Sequence, residues 1–209
     1  MNQDPFKEYI RESEPNKREK GYAWQTAIGL QAVDGLKTSK YLINTAIRNI
    51  EGDISIDEAN SLLNSYYEKN PKQDPGDRTE EADKVSVRIV KVLSETGFSF
   101  TPNEYISIHK KLFTGIYRHA GKIRDYNITK KEWVLDGETV FYGNASELRD
   151  TLEYDFSEER TFSYKGLSIN EIIHHLAVFV SRLWQIHIFG EGNTRTTAVF
   201  FIKYLPDTI

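Results

Sequence analysis

The chain has 209 residues, of which 39% are hydrophobic and 28% are charged, a balance typical of folded globular proteins rather than disordered or collagen-like ones. Its formal net charge of -4 argues against a broad nucleic-acid-binding face, because binding to duplex phosphates needs a clustered basic surface. The absence of cysteine excludes disulfides, thiolate nucleophiles and Cys-ligated metal sites. One domain of ordinary size, alone or with a small appendage, accounts for this length.

The N-terminal residues Met-Asn-Gln-Asp-Pro-Phe-Lys-Glu lack the basic and then apolar order of a signal peptide. No apolar run along the chain approaches the length needed to cross a membrane. The sequence therefore predicts a cytoplasmic protein that does not use a membrane as a partner.

A polar segment at residues 70–79, with two prolines and a glycine, is the strongest boundary signal in the chain. Before it, apolar residues in the segment 39–50 recur at helical spacing, and Gly52 supplies a natural stop. A second helix is predicted from Ser55, because Ser55 and Glu58 have the spacing of a capping box. The part before the boundary is therefore predicted to be a small helical segment.

Helical patterns continue after the boundary, at residues 81–94 and 101–112. The segment 132–142 differs, because the pair Asp136-Gly137 lies between β-prone residues and is typical of a tight hairpin turn. From Ser168, another capping box opens a long helix with an apolar face. These patterns together predict a mainly α fold with one β-hairpin.

A glycine-rich loop, His187-Ile-Phe-Gly-Glu-Gly-Asn-Thr-Arg195, connects this long helix to a further predicted helix. Its two glycines and its asparagine can adopt positive φ at low cost, so that several N–H groups can turn toward one point. The positive end of the next helix adds a favourable field for an anion. The loop matches neither a Walker A sequence nor a dinucleotide fingerprint, and it is predicted to bind a pyrophosphate in another way.

Charged and titratable side chains accompany this predicted anion site. His187 is suited to accept a proton from an attacking hydroxyl near neutral pH. Arg195 can add a charge-assisted contact to a phosphate, and Glu191 beside phosphates implies an intervening divalent cation such as Mg²⁺. A base beside a phosphate cradle indicates phosphoryl or nucleotidyl transfer. The alternative is a structural helix–loop–helix corner, although packing alone does not call for this combination of glycines and charges.

The loop resembles the signature of the Fic family, His-x-Phe-x-Asp/Glu-Gly-Asn-Gly/Lys-Arg-x-x-Arg in a loop between two helices. The matching residues are His187, Phe189, Glu191, Gly192, Asn193 and Arg195. The helix before the loop, the hairpin and the segment 121–124 add to the resemblance, which extends over residues 80–205. It implies a mainly α Fic-type helical bundle with one β-hairpin flap and a small N-terminal helical segment.

Fic proteins typically transfer AMP from ATP to a Ser, Thr or Tyr hydroxyl of a target protein, with Mg²⁺ as cofactor. The resemblance implies that this chain is such a protein adenylyltransferase, with His187 as general base and Glu191 as the Mg²⁺ ligand. The residues implied to bind the nucleotide are Gly190, Gly192, Asn193, Thr194 and Arg195. The hairpin corresponds to a flap that aligns the target segment by strand-like pairing. Its implied target-binding residues are Trp133, Val134, Leu135, Thr139, Val140, Phe141 and Tyr142.

Two positions depart from the family signature. Thr194 stands where the family usually has Gly or Lys, and a β-branched residue narrows the conformations open to the loop. Ala198 replaces the second arginine, which in the family contacts the γ-phosphate of ATP. Transfer of UMP or another phosphate-bearing group, or loss of activity, therefore stays open. Fic domains usually continue with further helices after the motif, so a form truncated after Ile209 is also expected.

Residues 47–52, Ile-Arg-Asn-Ile-Glu-Gly, resemble the inhibitory helix of the family, Ser/Thr-x-x-x-Glu-Gly/Asn, except at Ile47. The resemblance implies that Glu51 occupies the γ-phosphate region and makes ATP bind unproductively, so that the enzyme is autoinhibited. The arginine that usually pairs with this glutamate is Ala198 here, so inhibition would use another group such as Arg195. A plain C-terminal helix stop is the alternative interpretation.

The predicted domains are an antitoxin-like inhibitory segment with its linker at residues 1–78 and a Fic core at residues 79–209. Two other functions stay open: a catalytically degenerate Fic-fold module that binds nucleotide or protein, and a toxin–antitoxin fusion in which residues 1–70 control folding or dimerisation. The predicted partners are a nucleotide and a target protein, without direct nucleic-acid binding, and a homo-oligomer is left open. His109 and His119 are predicted to be structural or solvent-facing.

Overall fold

The computed structural model describes residues 5–11, 14–71, 74, 76–131 and 136–205. These residues form two compact units, one within residues 1–96 and the other within residues 97–209. In the described ranges, none of the helices is both long enough and apolar enough to cross a membrane.

The described part of the first unit contains five helices. Their bounds are α1 Lys7–Ile10, α2 Pro15–Val33, α3 Lys40–Glu51, α4 Ile56–Lys69 and α5 Thr79–Ser94. Local chemistry starts α3 and α4, because the hydroxyls of Ser39 and Ser55 each accept a hydrogen bond from a first-turn N–H group. The capping box of Ser55 and Glu58 is complete, and Gly52 ends α3 in the left-handed conformation. Both helices predicted before residue 70 are therefore confirmed.

Helix α2 has no counterpart among the sequence predictions. Its buried residues are Gly21, Trp24, Ala27 and Gln31, and such a set forms no continuous apolar stripe. Tertiary contacts stabilise it instead, because it packs against α3 and α5. The fully buried indole of Trp24 also donates a hydrogen bond to Oδ1 of Asn49 at 3.0 Å.

Helix α5 belongs to the first unit, where it packs against α2 and α4. Its buried Asp83 accepts hydrogen bonds from the backbone N–H of Ser39 at 2.9 Å and from the hydroxyl of Tyr67 at 2.6 Å. Burial raises the pKa of Asp83, and these bonds oppose that rise. The packed unit thus extends past the polar segment, while the functional limits 1–78 and 79–209 stay a prediction.

The described part of the second unit contains four helices and one hairpin. Their bounds are α6 Pro102–Phe113, β1 Thr129–Lys131, β2 Thr139–Phe141, α7 Leu148–Thr161, α8 Ile169–Ile186 and α9 Asn193–Tyr204. Helix α6 packs against α9, and α7 packs against α8. Thr101 caps α6, and the capping box predicted at Ser168 is present at the start of α8. The mainly α fold with one hairpin is confirmed.

The two strands of the hairpin are antiparallel. Their paired residues are Thr129 with Phe141, Lys130 with Val140 and Lys131 with Thr139. Asp136 and Gly137 have positive φ values of 53° and 85°, as the predicted tight turn requires. The first strand lies earlier than the segment 132–142 predicted, and Glu132 to Leu135 lie outside the described residues.

Aromatic rings fill the interior of the second unit. The rings of Phe100, Phe156, Phe179, Phe200 and Tyr204 lie with neighbouring centroids between 4.4 and 6.4 Å apart. Such rings pack well at offset or edge-on angles and bury a large apolar area. They hold α7, α8 and α9 together and thereby fix both ends of the loop between α8 and α9.

Helix α7 also has no counterpart among the sequence predictions. Its buried face includes the carboxylates of Asp155 and Glu159 beside Leu148, Leu152 and Phe156. Two acidic residues break the apolar stripe that would have marked the helix, and tertiary contacts decide its formation.

Candidate active site

Helix α8 ends at His187, the predicted general base. This residue is the C-cap, with φ of 48° and ψ of 61°, a left-handed conformation that residues with side chains seldom adopt. Its N–H donates to the carbonyl of Leu183 at 3.2 Å. The half-buried imidazole packs on the ring of Tyr142, with centroids 4.3 Å apart. The chain thus leaves the helix abruptly at this histidine, and Tyr142 covers one face of the imidazole.

Arg124 holds the backbone around His187 in this conformation. Its Nε donates to the carbonyl of His187 at 2.8 Å, and Nη2 donates to the carbonyl of Ile186 at 3.1 Å. The same guanidinium donates to the carbonyls of Tyr126 and Gly143, which lie on either side of the hairpin. Its charge also offsets the partial negative charge at the end of α8. Arg124, only 4% exposed, therefore ties both ends of the flap to the end of this helix.

Asn193 closes the loop on itself. Its Oδ1 accepts a hydrogen bond from the N–H of Phe189 at 3.0 Å, and its Nδ2 donates to the carbonyl of Phe189 at 2.7 Å. Phe189 is fully buried and Asn193 is 3% exposed. The amide of Asn193 thus shapes the loop from inside, and its predicted contact with a nucleotide stays a prediction.

His109 of α6 supports the loop from below. Its ring stacks on Phe189 with centroids 3.7 Å apart, and its Nδ1 accepts a hydrogen bond from the N–H of Gly121 at 2.8 Å. That bond makes Nε2 the protonated nitrogen, which donates to the carbonyl of Glu191 at 3.0 Å. Burial lowers the pKa of His109 to about 4. The structural role predicted for this histidine is confirmed.

Close packing explains the two glycines of the loop. A Cβ on Gly190 would lie 2.6 Å from the hydroxyl oxygen of Tyr126, and one on Gly192 would lie 2.5 Å from Cε2 of Phe113. Gly192 also has φ of 79°, a conformation that favours glycine. The sequence suggested positive φ at Gly190 and Asn193 as well, but within the loop only His187 and Gly192 adopt it. At Gly190, glycine is required because the hydroxyl of Tyr126 leaves no room for a Cβ. Asn193 is the first residue of α9 and has a helical φ.

The N-terminus of α9 has the properties of an anion site. Gly192 is its N-cap and provides no side-chain cap, as is also the case at the N-caps of α1, α2, α5 and α7. The first N–H groups of a helix have no intrahelical partners, and the helix dipole favours negative charge there. The partly exposed Thr194 lies in this first turn. The start of α9 is therefore suited to hold a phosphate group.

Arg195 lies behind the loop. Its side chain is fully buried, with Cζ 4.8 Å from the ring centroid of Phe113 and Nη2 donating to the hydroxyl of Tyr117 at 3.0 Å. Ala198, one turn later on α9, supplies no second guanidinium. Direct contact of Arg195 with phosphate stays a prediction.

Glu191 is exposed at the turn of the loop, while its carbonyl is held by His109. Mg²⁺ is usually bound through one or two carboxylates together with substrate phosphates rather than by a full protein cage. One exposed carboxylate beside an anion site fits that donor set. No group of three or more His, Asp or Glu side chains suited to a metal occurs in the described ranges.

The flap exposes most of its described residues. Thr139 and Phe141 face solvent, Val140 is half-buried, and Tyr142 packs on His187. The predicted target-binding residues Trp133, Val134 and Leu135 lie outside the described residues. Target binding by this hairpin stays a prediction.

Glu51, the predicted inhibitory residue, is the last residue of α3 in the first unit. Its carboxylate accepts a hydrogen bond from the hydroxyl of Tyr9 at 2.7 Å and pairs with Nζ of Lys17 at 2.9 Å. The hydrogen bonds from Lys17 and Tyr9 lower the pKa of Glu51. The carboxylate is thus ionised and held within its own unit, and its inhibitory role stays a prediction.

The sequence of the second unit is similar to that of known proteins. The model of the Fic/DOC family matches residues 99–205. A segment of 93 residues, 44% of this chain, is 32% identical to part of the protein adenylyltransferase VbhT of Bartonella schoenbuchensis. That segment covers 18% of VbhT, so the chain spans less than a fifth of the length of this relative. No solved structure matches the chain.

Proposed function

Because the chain belongs to the Fic/DOC family, we propose that it is a protein adenylyltransferase that transfers AMP from ATP to a hydroxyl side chain of a target protein. The arrangement of the loop supports this most strongly. An imidazole ends α8, and five residues later the uncapped N-terminus of α9 begins at Gly192. A base and an anion site within one short loop meet the needs of nucleotidyl transfer to a hydroxyl.

In the proposed reaction, the hydroxyl oxygen of the target attacks the α-phosphorus of ATP. A bond forms between these two atoms, the bond from the α-phosphorus to the bridging oxygen breaks, and pyrophosphate leaves. His187 accepts the hydroxyl proton. Arg124 positions this histidine by donating a hydrogen bond to the backbone carbonyl of His187. The N–H groups of the loop and of Thr194 and Arg195 stabilise charge on the phosphate oxygens. Bound next to Glu191, Mg²⁺ would neutralise charge on the pyrophosphate.

The flap aligns the target in this proposal. Its described strands are short and exposed, and their outer edge offers backbone groups to an extended segment of a serine-, threonine- or tyrosine-bearing partner. Tyr142 then lies beside the base, because its ring contacts His187.

We assign autoinhibition to residues 1–78, with Glu51 as the inhibitory group. Its ionised carboxylate suits competition with the γ-phosphate of ATP for cationic groups. The substitution Glu51→Gln is expected to raise transfer activity, whereas Glu68→Gln, at an exposed position of α4, serves as the matched control. Equal activities of both variants and the unchanged protein would refute this assignment.

The activity is tested by transfer of label from α-labelled ATP and Mg²⁺ to the chain itself and to proteins of a cell extract. The substitution His187→Ala should reduce transfer about 100-fold or more, and His174→Ala, at an exposed position of α8, should leave it unchanged. Failure of any nucleotide to label protein, with both the unchanged chain and Glu51→Gln, contradicts the proposal.

The environment of Arg195 favours one alternative, a Fic-fold module that binds a nucleotide without turning it over. The guanidinium is occupied by Phe113 and Tyr117, and Ala198 adds no further positive charge. Calorimetric titration with ATP, UTP and GTP in the presence of Mg²⁺ separates the two functions. Binding without label transfer, unchanged in His187→Ala, would support the module.

A further inference from the structure

A cleft of about 450 Å³ opens beside the candidate base, between the end of the flap, α7 and α8. Its walls include Tyr142, Tyr154, Asp155, Arg182 and Ile186. It adjoins the base through Tyr142, whose ring packs on the imidazole. The lining of the cleft includes no residue of the loop 187–195, so the cleft and the anion site are distinct spaces that adjoin at Tyr142 and His187.

Two buried carboxylates of α7, one turn apart, differ in their surroundings. Glu159 accepts hydrogen bonds from the hydroxyl of Tyr204 at 2.6 Å, from Nε2 of His175 at 2.6 Å and from the hydroxyl of Tyr164. It is therefore a satisfied structural group that joins α7 to α8 and α9. Asp155 is the other carboxylate, and it lines the cleft.

Asp155 is 5% exposed, yet no described residue donates a hydrogen bond to it. Its partner is the half-exposed Arg182, whose Nη1 lies 3.7 Å from Oδ1, beyond hydrogen-bond distance. Burial raises the pKa of Asp155, and Arg182 opposes that rise. A carboxylate at the wall of a cleft, held only by this long ion pair, can accept direct hydrogen bonds from a cationic ligand that enters the cleft.

We propose that this cleft binds a lysine or arginine side chain of the target protein, close to the hydroxyl that is modified, and that Asp155 selects it. The inference rests on the proposed function, because a base contacts the acceptor hydroxyl and the cleft lies beside that base. The exposed rings of Phe141 and Tyr154 and the ring of Tyr142 add faces that attract a cation.

In the absence of a target, Arg182 is the cation that pairs with Asp155 in this site. It lies at the rim with half of its side chain exposed, and its single contact with Asp155 is loose. An incoming cation can replace it at the carboxylate while Arg182 turns to solvent. An acidic side chain would be repelled by Asp155, and an apolar one would leave the carboxylate without donors.

The test uses short blocked peptides in which a serine, threonine or tyrosine is followed by lysine, arginine, methionine or glutamate. With the full chain and α-labelled ATP, the basic peptides should have kcat/KM about 10- to 100-fold above the methionine peptides. Asp155→Asn should abolish that preference, so that the basic and the methionine peptides react with similar kcat/KM. Arg182→Gln should raise kcat/KM for the basic peptides, because it removes the competing cation.

An ion pair within α7 provides matched controls. Arg149 and Glu153 lie 3.7 Å apart like Arg182 and Asp155, but both are more than half exposed. Glu153→Gln and Arg149→Gln should leave every peptide preference unchanged.

Direct binding keeps the inference testable without turnover. Calorimetry uses two peptides, in which tyrosine is followed by lysine or by methionine. The lysine peptide should bind more tightly, and this difference in affinity should be lost in Asp155→Asn. Equal binding of the two peptides, or equal transfer to them, overturns the inference and leaves the proposed function standing. Weaker ATP binding in Asp155→Asn with an unchanged peptide preference also overturns it, because the cleft would then hold the nucleotide base. Absence of label transfer in every arm contradicts only the proposed function.

Discussion

The side-chain amide of Asn193 and the backbone of Phe189 exchange two hydrogen bonds, at 3.0 and 2.7 Å, across the turn of the loop. Both groups are buried, so removal of the amide leaves an N–H and a carbonyl of Phe189 without these partners. We expect Asn193→Ala to lower the free energy of unfolding by about 2 kcal/mol, measured by urea denaturation. Asn193→Asp should be as harmful, because it places a carboxylate against that carbonyl.

The exposed Asn70, whose Nδ2 donates to the carbonyl of Tyr66 at 2.8 Å, is the control for this loss. Asn70→Ala should change the free energy of unfolding by less than about 0.5 kcal/mol. Equal effects at Asn70 and Asn193 would mean that the reciprocal bonds contribute nothing beyond an ordinary surface amide.

Arg124 donates to four backbone carbonyls at the ends of α8 and of the flap, and this fork cannot be reproduced by an ammonium group. Arg124→Lys should therefore lower the free energy of unfolding by about 3 kcal/mol, since buried carbonyls lose charge-assisted partners. Nucleotidyl transfer should fall with it, because the carbonyl of His187 is released. Urea denaturation and label transfer measure the two effects. Arg118→Lys, at an exposed position, should leave both values unchanged.

Local chemistry made part of this structure predictable. The capped helices follow from a Ser or Thr and its neighbours within three residues, and the loop is marked by glycines beside a histidine. The Arg124 network has no such signal, because its acceptors are near residues 126, 143 and 187 and become neighbours only in the fold.

The same limit applies to buried polar groups. Asp155 and Glu159 interrupt the apolar pattern of α7, so that the helix was not predicted, and only the fold distinguishes the satisfied carboxylate from the one that faces a cleft. Arg195 is comparable: its charge suggested a phosphate contact, whereas its complete burial against Phe113 depends on α6.

The neutral state of His109 makes the stability of the loop depend on pH. Its pKa is about 4 in the folded protein and 6.5 for an unperturbed imidazole, so the unfolded chain binds more protons between these values. Its contribution is present above pH 6.5 and is lost as the pH falls toward 4, up to about 3 kcal/mol.

Chemical denaturation at several pH values checks this sign. The difference in the free energy of unfolding between the unchanged protein and His109→Gln should shrink as the pH falls from 6.5 to 4, because glutamine does not titrate. The same difference for His174→Gln, at an exposed position, is the control. A difference for His109→Gln that is constant or grows toward low pH would contradict a buried neutral imidazole.

Alanine substitutions at Gly190 and Gly192 should differ in whether a second substitution, which removes the contacting side-chain group, restores label transfer. In Gly190→Ala the new Cβ meets only the hydroxyl of Tyr126 closer than 3.0 Å, and that half-exposed ring can lose its hydroxyl. We therefore expect Gly190→Ala to impair label transfer and Gly190→Ala with Tyr126→Phe to restore most of it. Gly192→Ala combines φ of 79° with a contact at 2.5 Å to Phe113. Adding Phe113→Leu relieves the contact but not the backbone strain, so transfer should stay low. If Tyr126→Phe fails to rescue Gly190→Ala while the thermal midpoint is restored, the glycine is needed for close approach of the nucleotide rather than for packing.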